Sequence, residues 1–321
     1  MSAPVRPGPE LDPDLAAALA AFPELPPLGP TTLDVLRPYA TVPPEVALAD
    51  RALERRDVVV PAADGTPLTL SVLTPTSAVA EAPATCVYWI HGGGMVLGDR
   101  FSQIDIPLDW LEELGAVVVT VDYRLAPEVT GTTLVEDCYA GLSWVADHAD
   151  ELGVDPGRIV VAGTSAGGGL AAGTTLLARD RRGPAVAAQV LVCPMLDHRN
   201  ATVSSHQYAG PAVWSRAANE FGWDAVLHGT SGPVSPYVSP ALAGDLTGLP
   251  TTYVDTGSAE VFRDEDVAFA SAIWAAGGQA ELHVWAGGCH GFDTLFPQAP
   301  MSTTARRTRT DWLARVVSRL R

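Results

Sequence analysis

Apolar and polar positions along this chain follow two different periods, and the switches between them mark out the elements. Asp57-Val58-Val59-Val60 and Pro67-Leu68-Thr69-Leu70-Ser71-Val72-Leu73, joined through an Asp64-Gly65 turn, alternate with period 2, as a half-exposed antiparallel edge does. The later runs are more fully apolar, as in parallel strands covered on both faces: Cys86 to Ile90, Ala116 to Val121, Arg158 to Ala162, Ala187 to Cys193, Thr251 to Asp255 and Ala280 to Trp285. Helical patterns separate most of them, at Ile104 to Leu114, Leu134 to Leu152, Ala166 to Arg179, Val261 to Ala276 and Thr303 to Leu320. Strands alternating with helices predict an α/β fold with a doubly wound, mostly parallel sheet.

Two stretches break this rhythm. Residues 1–50 mix Pro-rich turns with two short helical patterns, Asp14 to Ala21 and Thr31 to Tyr39, and carry no strand signal. They read as a small helical appendage ahead of a main domain over 51–321. From Asp197 to about Pro240, Trp, His, Asn, Gly and Pro mix without period 2 and without a long helix. An excursion of that size between two strands is expected to be a cap insertion, about 197–240, rather than a plain surface loop.

Composition narrows the chemistry. A formal net charge of -17 argues against binding a phosphate backbone, so nucleic acid is not an expected partner. All 20 basic residues are arginine, which removes phosphate loops built on Gly-Lys and any lysine nucleophile. Met1 to Gly8 has no apolar leader pattern and no window suits a membrane span, so a cytoplasmic chain without membrane attachment is expected. Cys86, Cys138, Cys193 and Cys289 lack paired spacing and read as reduced core thiols, with no metal site. The sequon at Asn200-Ala201-Thr202 is then a chance match. The last helix carries Arg306, Arg307, Arg309, Arg315 and Arg319, read as a solvated face, with contact to a second subunit in a homodimer as the alternative.

The candidate chemistry gathers at strand ends. Gly163-Thr164-Ser165-Ala166-Gly167 lies between an apolar strand and an Ala/Leu-rich helix, a corner tight enough to need glycine two residues either side of the serine. Ser165 is thereby expected to project alone above the sheet beside a helix N-terminus, where N–H groups favour an oxyanion. His91-Gly92-Gly93-Gly94-Met95 directly follows another strand, and bare glycine N–H groups there suit the same task. A dinucleotide loop starting at Gly92 would need glycine at 97, where Leu97 stands. Of the seven histidines, His290 lies in a glycine-flanked loop after the last strand, where the order Ser, acid, His calls for the base.

Together His91-Gly92-Gly93-Gly94, Asp122-Tyr123-Arg124-Leu125-Ala126-Pro127-Glu128, Gly163-Thr164-Ser165-Ala166-Gly167 and His290-Gly291-Phe292 resemble the bacterial hormone-sensitive-lipase-like esterases, in the branch with Gly-Thr-Ser-Ala-Gly. The resemblance runs from about residue 55 to the C-terminus. It implies an eight-stranded α/β-hydrolase sheet under a cap made of N-terminal helices and a later insertion. It implies oxyanion donors at the N–H groups of Gly93, Gly94 and Ala166, and a structural role for Asp122 to Glu128 in bracing the glycine loop. Two departures stand out. Val129-Thr130-Gly131-Thr132-Thr133 replaces the usual histidine and alternating prolines, and Glu260-Val261-Phe262-Arg263-Asp264-Glu265 replaces a motif beginning with aspartate. The acid is then Glu260, in the loop leaving the strand Thr251 to Asp255. Asp264, Glu265 and Asp266 fall in the first turns of the next helix, where they complement its dipole.

The activity implied is serine carboxylesterase chemistry on short- to medium-chain esters, through an acyl-enzyme on Ser165, with no cofactor. An amidase or deacetylase would use the same residues. A small-molecule receptor on this fold, a non-catalytic alternative, is disfavoured by the presence of His290.

Overall fold

A computed structural model describes residues 7–23, 25–76, 83–210 and 212–320. Residues 1–6, which carry most of the N-terminal leader reading, lie outside them. The strands are β1 Leu53–Pro61, β2 Pro67–Pro75, β3 Ala84–Ile90, β4 Val117–Val121, β5 Val154–Thr164, β6 Ala188–Val192, β7 Thr251–Gly257 and β8 Ala280–Trp285. The helices are α1 Pro13–Ala20, α2 Leu33–Leu36, α3 Pro44–Ala47, α4 Asp105–Leu114, α5 Thr133–Asp147, α6 Ala166–Arg181, α7 Val203–Gln207, α8 Arg216–Leu227, α9 Arg263–Ala275, α10 Phe292–Leu295 and α11 Pro300–Val317.

All eight strands form one sheet in the order β1-β2-β4-β3-β5-β6-β7-β8. The β1/β2 and β2/β4 pairs are antiparallel and every other pair is parallel. The β1–β2 hairpin closes where expected, with Asp64 Oδ1 accepting from Thr66 N at 2.9 Å in the turn. In the middle of the sheet, successive side chains go to opposite cores. Tyr88, Val119, Val161 and Leu191 pack with α5 and α6 on one face, while Trp89, Val118, Val160 and Val190 pack with Trp110 of α4 and Trp312 of α11 on the other. Each such side chain contributes roughly 1.5–3 kcal/mol by leaving water, which is why these strands carry apolar residues towards both faces.

The structure corrects the sequence reading in three places. The insertion does hold a helix of twelve residues, α8, capped by Ser215 accepting from Ala218 N at 3.2 Å. Its pattern is hard to see because Asn219 and Gly222, both poor helix formers, occupy the buried face with Trp223 and Val226. α5 stops at Asp147, short of Leu152, with His148 at its C-cap. The arginines of the last helix form a solvated face only in part: Arg307, Arg315 and Arg319 are exposed, while Arg306 and Arg309 turn inward. Arg309 is 1% exposed, Arg306 is paired with Asp105 and Asp109, and Arg315 reaches Glu281. Among the described residues no helix is long and apolar enough to cross a membrane.

Candidate active site

β5 ends at Thr164 and α6 begins at Ala166, so Ser165 is the whole corner, at φ 55° and ψ -122°. A non-glycine residue at positive φ stores strain on the order of 1–3 kcal/mol, held here by surrounding bonds. Ser165 N donates to Val192 O at 2.8 Å, and Ser165 O accepts from Met195 N at 2.9 Å and Gly169 N at 3.0 Å. A Cβ on Gly163 would collide with Gly167 O, and one on Gly167 with Ile90 O, which explains both flanking glycines.

His290 stands between Ser165 and Glu260. Its Nε2 is 2.9 Å from Ser165 Oγ and its Nδ1 is 2.5 Å from Glu260 Oε2. The carboxylate beside Nδ1 favours the tautomer protonated there, leaving Nε2 to accept the serine proton. Glu260 is 2% exposed, and its other oxygen accepts from Thr256 Oγ1 at 2.7 Å and Gly257 N at 2.8 Å. The loops bearing acid and histidine are stitched together: Ala259 N donates to Gly288 O, Gly287 N to Ser258 Oγ, and Ser258 N to Trp285 O. Phe262 sets its ring edge-on to His290 at 5.1 Å.

The glycine loop lies opposite. Gly93 and Gly94 have φ of 117° and 61°, conformations that only glycine adopts without strain. Among the described residues neither of their N–H groups has a hydrogen-bond acceptor, nor has that of Ala166 at the head of α6. Gly92 N is occupied by Gln103 Oε1 at 2.9 Å. His91 is fully buried, stacked on Tyr123 at 4.3 Å, and burial holds its pKa down, so it stays neutral and structural. The Asp122 to Glu128 segment meets this loop through Tyr123 Oη donating to His91 O at 3.0 Å and Ala126 N donating to Met95 O at 2.9 Å. Arg37 clamps both, donating to Val96 O, Ala126 O and the Glu128 carboxylate. The 129–133 loop bonds to α8, with Gly131 N donating to Val226 O at 2.7 Å.

The other acids near Glu260 have different work. Asp255 is buried against Arg309 at 2.9 Å, and Asp264 accepts from Arg263 and from Ser204 N, each at 2.8 Å. Glu265 and Asp266 lie in the first turn of α9, as read from the sequence, and are 3% and 0% exposed. Glu265 Oε1 accepts from Leu196 N and Asp197 N. Burial raises the pKa of both well above the carboxylate range, and for Asp266 the nearby Glu260 adds to it.

A cavity of about 160 Å³ opens on Ser165, bounded by Gly93, Gly94, Trp214 and His290. A second, of about 120 Å³, lies behind His290 against Leu11, Leu19 and Tyr208. Val213 and Trp214 line both. Gly222 of α8 comes so close that a Cβ there would lie 2.9 Å from Gly94 O. Asp12 N, at the start of α1, donates to Gly287 O at 3.0 Å. Thr256, Gln103, Arg37 and Trp214 escape the sequence reading, because each acts through a contact that no local motif announces.

A family model described as the alpha/beta hydrolase fold matches residues 87–294. The chain is similar to esterase LipI of Mycobacterium tuberculosis, with 32% identity covering 84% of this chain and 82% of that one. It is similar to carboxylesterase NlhH of the same organism, with 33% identity covering 88% of each. A solved bacterial heroin esterase superposes with a TM-score of 0.86 at 38% identity, covering 97% of this chain and 98% of that chain.

Proposed function

This chain belongs to the α/β-hydrolase-fold family, among its hormone-sensitive-lipase-like bacterial esterases, and from that premise we propose how it hydrolyses carboxylic esters. His290 Nε2 takes the Ser165 proton as Oγ attacks the ester carbonyl. The tetrahedral oxyanion is received by the N–H groups of Gly93, Gly94 and Ala166, and its collapse expels the alcohol, protonated by His290. Water, deprotonated by the same imidazole, then releases the acid from Ser165. Glu260 keeps the imidazole in its working tautomer and balances the imidazolium that forms. The observation that carries this reading is His290 hydrogen-bonded to Ser165 on one nitrogen and to Glu260 on the other.

The substrate proposed is a short- to medium-chain ester. A cavity of about 160 Å³ is close to one of roughly 150 Å³ that accommodates benzene, so a small acyl group fills it. We assign residues 1–50 and about 197–240 to a cap over 51–321, because Leu11 and Leu19 from the first and Tyr208, Val213 and Trp214 from the second wall the site. A cytoplasmic location suits four buried cysteines that are all unpaired. The test is hydrolysis of p-nitrophenyl butyrate alongside labelling by a fluorophosphonate. Turnover with the label on Ser165 is expected. A label elsewhere, or faster cleavage of the matching anilide than of the ester, would overturn the reading.

A further inference from the structure

Cys193 reaches the acid and base of the site from beneath. It directly follows β6, its N–H donates to Asp255 O at 2.7 Å, and its buried thiol lies 3.7 Å from Thr164 Oγ1. Cys193 Sγ, one Glu260 carboxylate oxygen and one His290 ring nitrogen all lie within 4.8 Å of one another, and all three residues are buried. Thiolate, imidazole and carboxylate are together the donor set of zinc, which accepts three protein ligands with a fourth position open. The cavity lined by Glu260 and His290 supplies that open side.

We infer that Cys193, Glu260 and His290 form an inhibitory site for a thiophilic dication, Zn²⁺ or its softer analogue Cd²⁺. Charge favours it: one thiolate and one carboxylate neutralise a dication, so the buried complex carries no net charge and avoids the cost of an unpaired ion. Bond lengths of about 2.0–2.3 Å place tetrahedral ligand atoms roughly 3.3–3.8 Å apart, so Cys193 closes in while the Glu260–His290 pair opens to admit the ion. The protons balance. The thiol loses its proton to solvent as the S–metal bond forms. The ion takes the place of the proton on His290 Nδ1, the nitrogen facing Glu260, and that proton passes to Nε2. The imidazole then presents an N–H to Ser165 Oγ and has no lone pair left to accept the serine proton.

Binding stands on the donor geometry alone, while inhibition rests on the ester-hydrolysis reading, so the test reads both. Cd²⁺ is titrated into the wild-type protein, Cys193→Ser, Cys289→Ser and Ser165→Ala, following the ultraviolet thiolate-to-cadmium band and hydrolysis of p-nitrophenyl butyrate. The wild type and Cys289→Ser should develop the band with loss of activity in parallel, and a chelator should reverse both. Ser165→Ala should keep the band. Cys193→Ser should lose the band and need at least about tenfold more Cd²⁺ for half-inhibition, the scale of losing a metal-site residue. The inference is overturned if Cys193→Ser is inhibited at the wild-type concentration, if the band disappears with Cys289 instead, or if the band forms without inhibition. A band in a wild-type protein that never turns over ester would instead strike the hydrolase reading.

Discussion

Arg309 holds Asp293, three residues beyond His290, with both Nη atoms at 3.0 Å from one carboxylate oxygen, and one of them also reaches Asp255 at 2.9 Å. All three side chains are buried. A helix at the C-terminal end thus ties the loop of the histidine to the strand that leads into Glu260. Arg309→Met would leave two carboxylates without a counter-charge and should cost about 3–5 kcal/mol in denaturant unfolding. Adding Asp255→Asn and Asp293→Asn to it should recover most of that loss. A single variant within about 1 kcal/mol of wild type would show that the cluster does not brace the site.

Glu260→Gln keeps the shape of the side chain and removes its charge. By the behaviour of triad acids, kcat should fall by about 10⁴ with the fold intact by circular dichroism. Thr256→Val removes one of the two donors to Glu260 Oε1 and should cost a smaller step, about 1.5–3 kcal/mol in transition-state stabilisation. Asp264→Asn and Asp255→Asn, measured alongside, discriminate: if either abolishes turnover while Glu260→Gln remains active, the acid has been misassigned.

The parts legible in the sequence are those where sterics act locally. The corner at Ser165 and the loop of Gly92 to Gly94 announce themselves because a Cβ at Gly163, Gly167 or Gly93 would strike backbone within the same few elements. β8 is found at its expected bounds because turns flank a short run there. Long-range contacts leave no such trace. Arg309 looks like any other arginine on a helix until Asp255 and Asp293, 54 and 16 residues away, are brought to it. α8 hides behind Gly222, whose presence answers to Gly94 across the site and not to helix propensity.

Asp266 gives a pH test. It is fully buried, and burial with Glu260 and Glu265 nearby raises its pKa well above 3.8. A group with a raised folded pKa stabilises at low pH, where both states are protonated, and that stability is lost as pH rises towards the folded value, by about 1.4 kcal/mol per unit. Asp266→Asn, which cannot ionise, should therefore stabilise the protein more at pH 8 than at pH 5. Thermal unfolding at the two values decides it, and an equal shift at both would mean that Asp266 carries no proton linkage.

Trp214 lines both cavities. Its ring lies against Gly94, its Nε1 points to Asn219 Oδ1 at 3.4 Å, and its centroid is 6.3 Å from that of His290. The cavity on Ser165 is bounded by this ring on the side facing Leu11, Leu19 and Tyr208. Trp214→Ala should join the two spaces, giving a longer acyl chain apolar surface to cover past His290 while loosening the wall around a short one. Each methylene placed in an apolar pocket is worth on the order of 1–3 kcal/mol in discrimination, so even one or two that gain contact should move the octanoate-to-acetate ratio of kcat/KM upward by about tenfold or more. Most of the change should appear in kcat/KM for the long ester, because the ring touches no reacting atom. If the ratio is unchanged, or if acetate and octanoate lose activity equally, Trp214 serves the cap's packing and the chain-length limit lies elsewhere.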